Sequence, residues 1–218
     1  MNEFFRKAFM IYPHCKMHFY KLYNRIYFKL LGVEYGRNLQ VFNKIYVRGK
    51  GKIFIGDNLL FTSGDGLNPL CRNIRGMLYT ANCGEIHIGD NVGISSACIR
   101  SQKCITIRDN VNIGADCMII DTDAHPYEYI KRRAAHNYKK IRSINEYEES
   151  INSKPIIIEN DVWIGSRCQV LKGVKIGARS IIAAGSIVTH DIPEDCIAGG
   201  VPCKIIKSIN KDENYTEL

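Results

Sequence analysis

The sequence predicts a parallel β-helix, and three observations predict it. An aliphatic residue recurs every six positions from Ile158 through Ile164, Val170, Ile176 and Ile182 to Val188. This period matches neither an α-helix nor a flat strand. It fits a chain that turns a corner every hexad and stacks on itself. Gly and Asn follow the corner repeatedly, as in Ile55-Gly56-Asp57-Asn58 and Ile88-Gly89-Asp90-Asn91, and both tolerate the positive φ that a sharp corner needs. Finally, three corners make a coil of about 18 residues, so Ile158 is expected to stack on Ile176 in an aliphatic column.

Each segment follows from this frame. Residues 1–34 hold six Lys/Arg against two acids and many aromatics. After Pro13, the residues Phe19, Leu22, Tyr23, Ile26 and Leu30 share one helical face, and Lys21, Arg25 and Lys29 share another. Two compatible readings of this helix stand open. Residues 14–31 can lie on an anionic membrane surface, or the helix can cap the open end of the first coil, where strand edges would otherwise be unpaired. The β-helix is expected over 35–204. Its hexads run through Tyr35, Val41, Val47 and Ile53, slip by two to Ile55, Phe61 and Leu67, then become irregular over 68–87, where Gly76 and Gly84 fall. They resume at Ile88 and Ile94, meet Arg100, slip by one, and continue at Ile107, Ile113 and Ile119. The next slot holds His125, the one break in the aliphatic rhythm. A long charged insertion, 126–154, follows. After Pro155 the hexads run to about Pro193, and 205–218 form a polar tail.

The chain has 218 residues, 45% of them apolar, which is ample for a core and excludes global disorder. Its formal charge of +8 points to an acidic partner. Nucleic acid is not expected, because the Lys and Arg are dispersed and no single-module motif is present. The nine cysteines include no CxxC pair, which argues for reduced thiols in a cytoplasmic protein. Cys98, Cys104, Cys117 and Cys168 fall at one place in the hexad, as small buried fillers, and Cys98 and Cys117 are expected to stack. No signal peptide and no apolar run of the ~20 residues needed to span a bilayer is seen. The expected location is the cytoplasm, with the inner face of the plasma membrane as an extension of the helix reading.

At this point the residues resemble a family. The hexads, the segment Asp121-Thr122-Asp123-Ala124-His125-Pro126, the segment Asn160-Asp161-Val162-Trp163-Ile164-Gly165-Ser166, the run Ala184-Gly185-Ser186-Ile187-Val188-Thr189 and the close Gly199-Gly200-Val201-Pro202-Cys203-Lys204 are similar to hexapeptide-repeat acyltransferases. More narrowly, together with Asn91-Val92-Gly93-Ile94-Ser95-Ser96, they resemble sugar O-acetyltransferases of bacterial surface-polysaccharide clusters. The resemblance covers roughly 35–207. It implies an all-β, left-handed parallel β-helix, a homotrimer with sites between subunits, acetyl-CoA as donor and a sugar or polysaccharide precursor as acceptor.

Acetyl transfer from a thioester to a hydroxyl needs a base, an oxyanion donor and alignment. His125 suits the base, since an imidazole titrates near neutral pH. With period-two alternation Asp121 and Asp123 share its strand face unless the corner turns between them; one would orient the imidazole and the other accept sugar hydroxyls. Trp163, the lone tryptophan, is expected to point off the coil, and the resemblance places it near the acceptor and the pantetheine arm. The resemblance also makes the Ser166 N–H the oxyanion donor and puts Ala184 against the pantetheine. It sets Thr189, His190, Lys204 and Lys207 against the adenosine phosphates. Relatives often carry Lys at the place of His190 and Arg at that of Lys204; Lys lacks the bidentate fork. Ser96 stands where galactoside-type relatives carry a sugar-contacting asparagine, which argues against simple galactosides. Tyr127, Tyr129 and Arg132–Arg133 are candidate acceptor contacts from the insertion.

The competing readings are an N-acetyltransferase on an amino or nucleotide sugar, a non-catalytic trimeric scaffold, and a metal-dependent hydratase. The last needs three convergent histidines. His87, His125 and His136 are available but form no close pair in the repeats, so no metal is expected.

Overall fold

The computed structural model describes residues 3–64, 68–135, 147 and 149–209. After a long helix, α1 (Glu3–Leu30), the chain winds through short strands that form three parallel sheets, the faces of a prism. The first face runs from Glu34–Tyr35 through Lys52–Ile55, Glu85–Ile88, Cys104–Ile107 and Ile156–Ile158 to Lys175–Ile176. The second includes Gly93–Ser95, Asn112–Ile113 and Trp163–Ile164, and the third includes Cys98–Ser101, Met118–Ile120 and Gln169–Leu171. The last strand, Lys204–Ser208, turns back antiparallel on Cys196–Gly199 and closes the coil.

The expected column is present, with Ile158 paired to Ile176. Ile94, Ile113, Ile164 and Ile182 line the second face from inside, and Leu78, Ile99, Ile119, Val170 and Val188 the third, none more than 3% exposed. Each such side chain contributes roughly 1.5–3 kcal/mol by leaving water. Two sequence placements are off by one. Ile99, not Arg100, fills the core slot, and Arg100 points outward over the ring of Tyr79 at 5.4 Å. Cys98 accordingly pairs with Met118 rather than Cys117. The buried cysteines of this corner are Cys117 and Cys168. Their shared hydrogen bond, then burial, pushes the Cys117 thiol up.

The corners divide the labour of Gly and Asn. Asn38, Asn58, Asn91 and Asn110 carry the positive φ, between 55° and 60°. Their amides stack as a ladder, each Nδ2 donating to the next Oδ1 at 3.1, 2.9 and 3.1 Å. The neighbouring glycines are required for space instead: a Cβ on Gly56 or Gly89 would strike the carboxylate of Asp90 or Asp109 on the next coil.

Helix α1 begins at Glu3, runs through Pro13 and caps the first coil. It does so with polar groups, because an open coil end presents backbone carbonyls that need donors. The buried Asn24 amide donates to the carbonyls of Val41 and Asn43 at 2.9 and 2.8 Å. Tyr27 donates to Val47 O and Arg25 to Leu39 O. Phe28, fully buried, is the apolar plug. No helix among the described residues is long and apolar enough to cross a membrane.

Candidate active site

The insertion leaves the prism after the third-face strand Met118–Ile120. Its two ends are pinned to each other: Asp123 N donates to Asn152 O, Lys154 N to Asp121 O, and Ser153 Oγ to Thr122 Oγ1, at 2.9–3.0 Å. The chain has therefore left the coil before residue 125. His125 occupies no core slot; it is exposed at the base of the insertion. Ala124, at φ 62°, makes the turn that projects it.

Beyond His125 the insertion forms a short helix, α2 (Tyr129–Ala135). Arg132 of α2 donates back to the carbonyls of Pro126 and Tyr127, and Arg133 lies over the ring of Tyr129 at 5.1 Å. These two guanidiniums brace the insertion, and both remain exposed at its surface. Tyr127 and Tyr129 are exposed. His136 lies outside the described residues.

The partner of His125 is one the sequence did not suggest. Its Nδ1 sits 3.1 Å from the Tyr147 hydroxyl. If Nδ1 carries the proton and donates to that oxygen, Nε2 is left with the lone pair a base needs. A tyrosine within a polar, charged insertion gives no periodic signal, so sequence spacing had no means of finding it.

The two aspartates are placed differently from the expectation. Asp121 is fully buried and accepts from Ser101 Oγ and from the backbone N–H groups of Gln102, Lys103 and Cys104 at 2.7–2.9 Å. Its carboxylate is committed to that loop, one coil away, and does not orient His125. Asp123 forms an ion pair with Lys172 Nζ at 2.6 Å, both half-buried, and its Oδ2 is buried without a hydrogen-bond partner. Lys172 follows the third-face strand one coil on, so the pair bridges the insertion stem to the prism.

The remaining candidates fall into groups. Ser166 and Ala184 stack in one corner, where Gly185 N donates to Ser166 O at 2.8 Å. The Ser166 N–H donates to no group among the described residues, and a Cβ on Gly114 would lie against it. Trp163, 55% exposed, projects from the adjoining second face, as expected. Thr189 Oγ1 and His190 Nδ1 meet at 2.8 Å, and Lys204 and Lys207 are exposed on the closing strand. Ser96 is different: it is 1% exposed, and its hydroxyl accepts from Gly64 N at 2.8 Å. A residue so enclosed is a staple between coils, not a sugar contact. Within one chain, Ser166 and His125 lie at opposite edges of the third face.

Metal donors come together elsewhere. Glu85, His87 and Cys104, all half-buried on the first face, have ligand atoms within 4.8 Å of one another. His87 pairs with Glu85 at 2.9 Å and stacks on Phe54 at 4.7 Å. Within one chain, His87 lies on the first face and His125 at the foot of the insertion beyond the third.

Comparison with known proteins places this architecture. The profile of the bacterial transferase hexapeptide (six repeats) family matches residues 155–190. The chain is 37% identical over 140 residues to a galactoside O-acetyltransferase of Escherichia coli K12, covering 63% of this chain and 62% of that protein. It spans, in other words, under two thirds of that relative's length. It is 30% identical over 173 residues to the putative lipopolysaccharide biosynthesis O-acetyl transferase WbbJ of the same organism, covering 79% and 80%. Among solved structures, a mutant form of AntD, an N-acyltransferase from Bacillus cereus, shares the fold, with a TM-score of 0.61 at 18% identity over 86% of this chain and 89% of that one. With four fifths of WbbJ covered and the six-residue repeat laid out in three parallel faces, the chain belongs to the hexapeptide-repeat acetyltransferase family, and its coil is the left-handed parallel β-helix of that family.

Proposed function

We propose that this protein is an acetyl-CoA-dependent O-acetyltransferase acting on a sugar hydroxyl of a bacterial surface polysaccharide or its precursor. The observation that carries the reading is His125: exposed at the foot of the insertion, with Nδ1 held by Tyr147 and Nε2 open. The likeness to two O-acetyltransferases supports the reaction class.

In this reading His125 Nε2 takes the proton of the acceptor hydroxyl as its oxygen attacks the thioester carbonyl. The tetrahedral oxyanion is met by the unengaged Ser166 N–H, and the CoA thiolate leaves. The Tyr147 hydroxyl accepts from Nδ1–H and holds the tautomer. Asp123 acts through Lys172 on the insertion stem rather than on the imidazole. The pantetheine lies along the corner of Ser166 and Ala184, and Thr189, His190, Lys204 and Lys207 face the adenosine phosphates. Because His125 and Ser166 occupy opposite edges of one face, the site is completed by a second copy in a trimer. Trp163 of one copy then borders the acceptor bound at His125 of the next. Such an enzyme works in the cytoplasm, where acetyl-CoA is made.

The test is transfer of labelled acetyl from CoA to a panel of glycans, amino sugars included, read by mass spectrometry. His125→Ala is expected to lower transfer to hydroxyls roughly 100-fold or more. Undiminished transfer by that variant would remove the mechanism. Labelling of amines alone would replace O- by N-transfer.

A further inference from the structure

Helix α1 is inside out for a free protein. Asn24 and Phe28 face the coil, and the apolar stripe faces solvent: Phe19 and Leu22 are each 62% exposed, Ile26 54% and Leu30 79%. The rings of Phe19, Tyr23 and Tyr27 stack in a row along the helix, 6.2 and 5.9 Å apart. A contiguous exposed apolar surface of this kind marks an interaction site.

The charge beside it has one sign. No acidic residue occurs between Glu3 and Glu34. Lys16 lies two helical turns before Tyr23, on the stripe's border, and Lys29 lies next to Leu30. Lys16 and Tyr20 also wall a cleft of about 250 Å³, completed by Lys44 and Arg75 from the first coils, with no acidic side chain among the described residues that line it. Three cations in one concavity, beside an apolar stripe, match a phosphate headgroup above an acyl layer.

We propose that α1 rests on an anionic phospholipid surface, the stripe entering the acyl boundary and the Lys16–Lys44–Arg75 cleft receiving headgroup phosphate. A second copy of the chain is the poorer occupant, because pairing two such stripes brings lysines of like charge together with no acid between them. The helix does not span, so it lies in the interface plane. The inference stands independently of acetyl transfer.

The experiment is co-sedimentation of the full chain with phosphatidylcholine vesicles, with and without about 30 mol % phosphatidylglycerol, alongside its size in solution. Wild type is expected to partition into the anionic vesicles on the order of tenfold more strongly than into neutral ones. The Phe19→Ser/Leu22→Ser/Ile26→Ser variant is expected to lose binding by about tenfold or more. Lys16→Gln/Lys44→Gln/Arg75→Gln is expected to lose the anionic preference alone. Leu30→Ser, a single change at the most exposed position, gives a weaker loss and serves if the triple variant does not fold. The proposal is overturned if wild type binds neither vesicle or both equally, or if the stripe variants bind as wild type does. Unchanged binding with a smaller assembly would make the stripe a contact between copies.

Discussion

Removing the Asp121 carboxylate should cost stability, not chemistry. It is fully buried and accepts four hydrogen bonds, three of them from consecutive backbone amides. Asp121→Ala would strand those donors, and a loss of about 2–4 kcal/mol in denaturant unfolding is expected. At a temperature where the variant is folded, its turnover should stay within a few-fold of wild type; a collapse there would return Asp121 to the catalytic machinery. Tyr147→Phe makes the opposite prediction. The fold should be unaffected, while kcat falls about 3- to 10-fold, the worth of one hydrogen bond to the imidazole. Unchanged kcat would mean that Tyr147 does not hold the tautomer. At this scale the sequence was a partial guide. It put His125 correctly at the start of the insertion, but for an arithmetical reason. Counting by six from Ile119 reaches residue 125 although the chain leaves the prism after Thr122, so the broken rhythm records a departure from the coil and not a histidine in its wall.

The corners are the elements on which the coil depends, and they separate two contributions that a sequence reading merges. Asn91 holds φ at 56°, donates its side-chain amide to Asn110 and accepts from Asn58. Asn91→Ala loses the ladder and also places an ordinary side chain in the left-handed region, for an expected cost of about 1–2 kcal/mol. Asn91→Gly loses only the ladder, which is exposed, and should cost less. Thermal unfolding of the two variants decides between them: a Gly variant weaker than the Ala variant would show that the ladder, not the backbone angle, holds the corner. The hexads were legible wherever the corners are uniform, hence the correct stacking of Ile158 on Ile176. They misled where corners differ. From Ile94 to Ile99 the step is five residues, and from Ile99 to Ile107 it is eight. Their sum exceeds two hexads by one, so a count sees a single slip and puts Arg100 and Cys98 one place wrong. The N-terminal helix was legible as amphipathic, but its outward face was not. Periodicity reports that a stripe exists; the hydrogen-bonding needs of the first coil decided which side of the helix met the protein.

At the scale of the whole molecule, the placement of His125 and Ser166 on opposite edges of the third face bears directly on assembly. A β-helix is rigid, and its core column offers no hinge through which one edge can reach the other. If both residues serve one acetyl transfer, they come from neighbouring copies across a head-to-tail contact, which closes into a ring. Two variants each defective on one side then complement each other. His125→Ala supplies intact Ser166 and Trp163 surfaces, and Trp163→Ala supplies intact His125. When the two are co-expressed with separate tags in equal amounts, random assembly pairs an intact surface with an intact histidine at about a quarter of the contacts. Mixed assemblies purified through both tags should therefore regain a substantial fraction of wild-type transfer, far above either variant alone. Were the site contained in one chain, every chain in the mixture would carry a defect, and transfer would stay at the average of the two parents. The measurement needs no knowledge of the natural sugar, since any acceptor labelled by the wild type reports it.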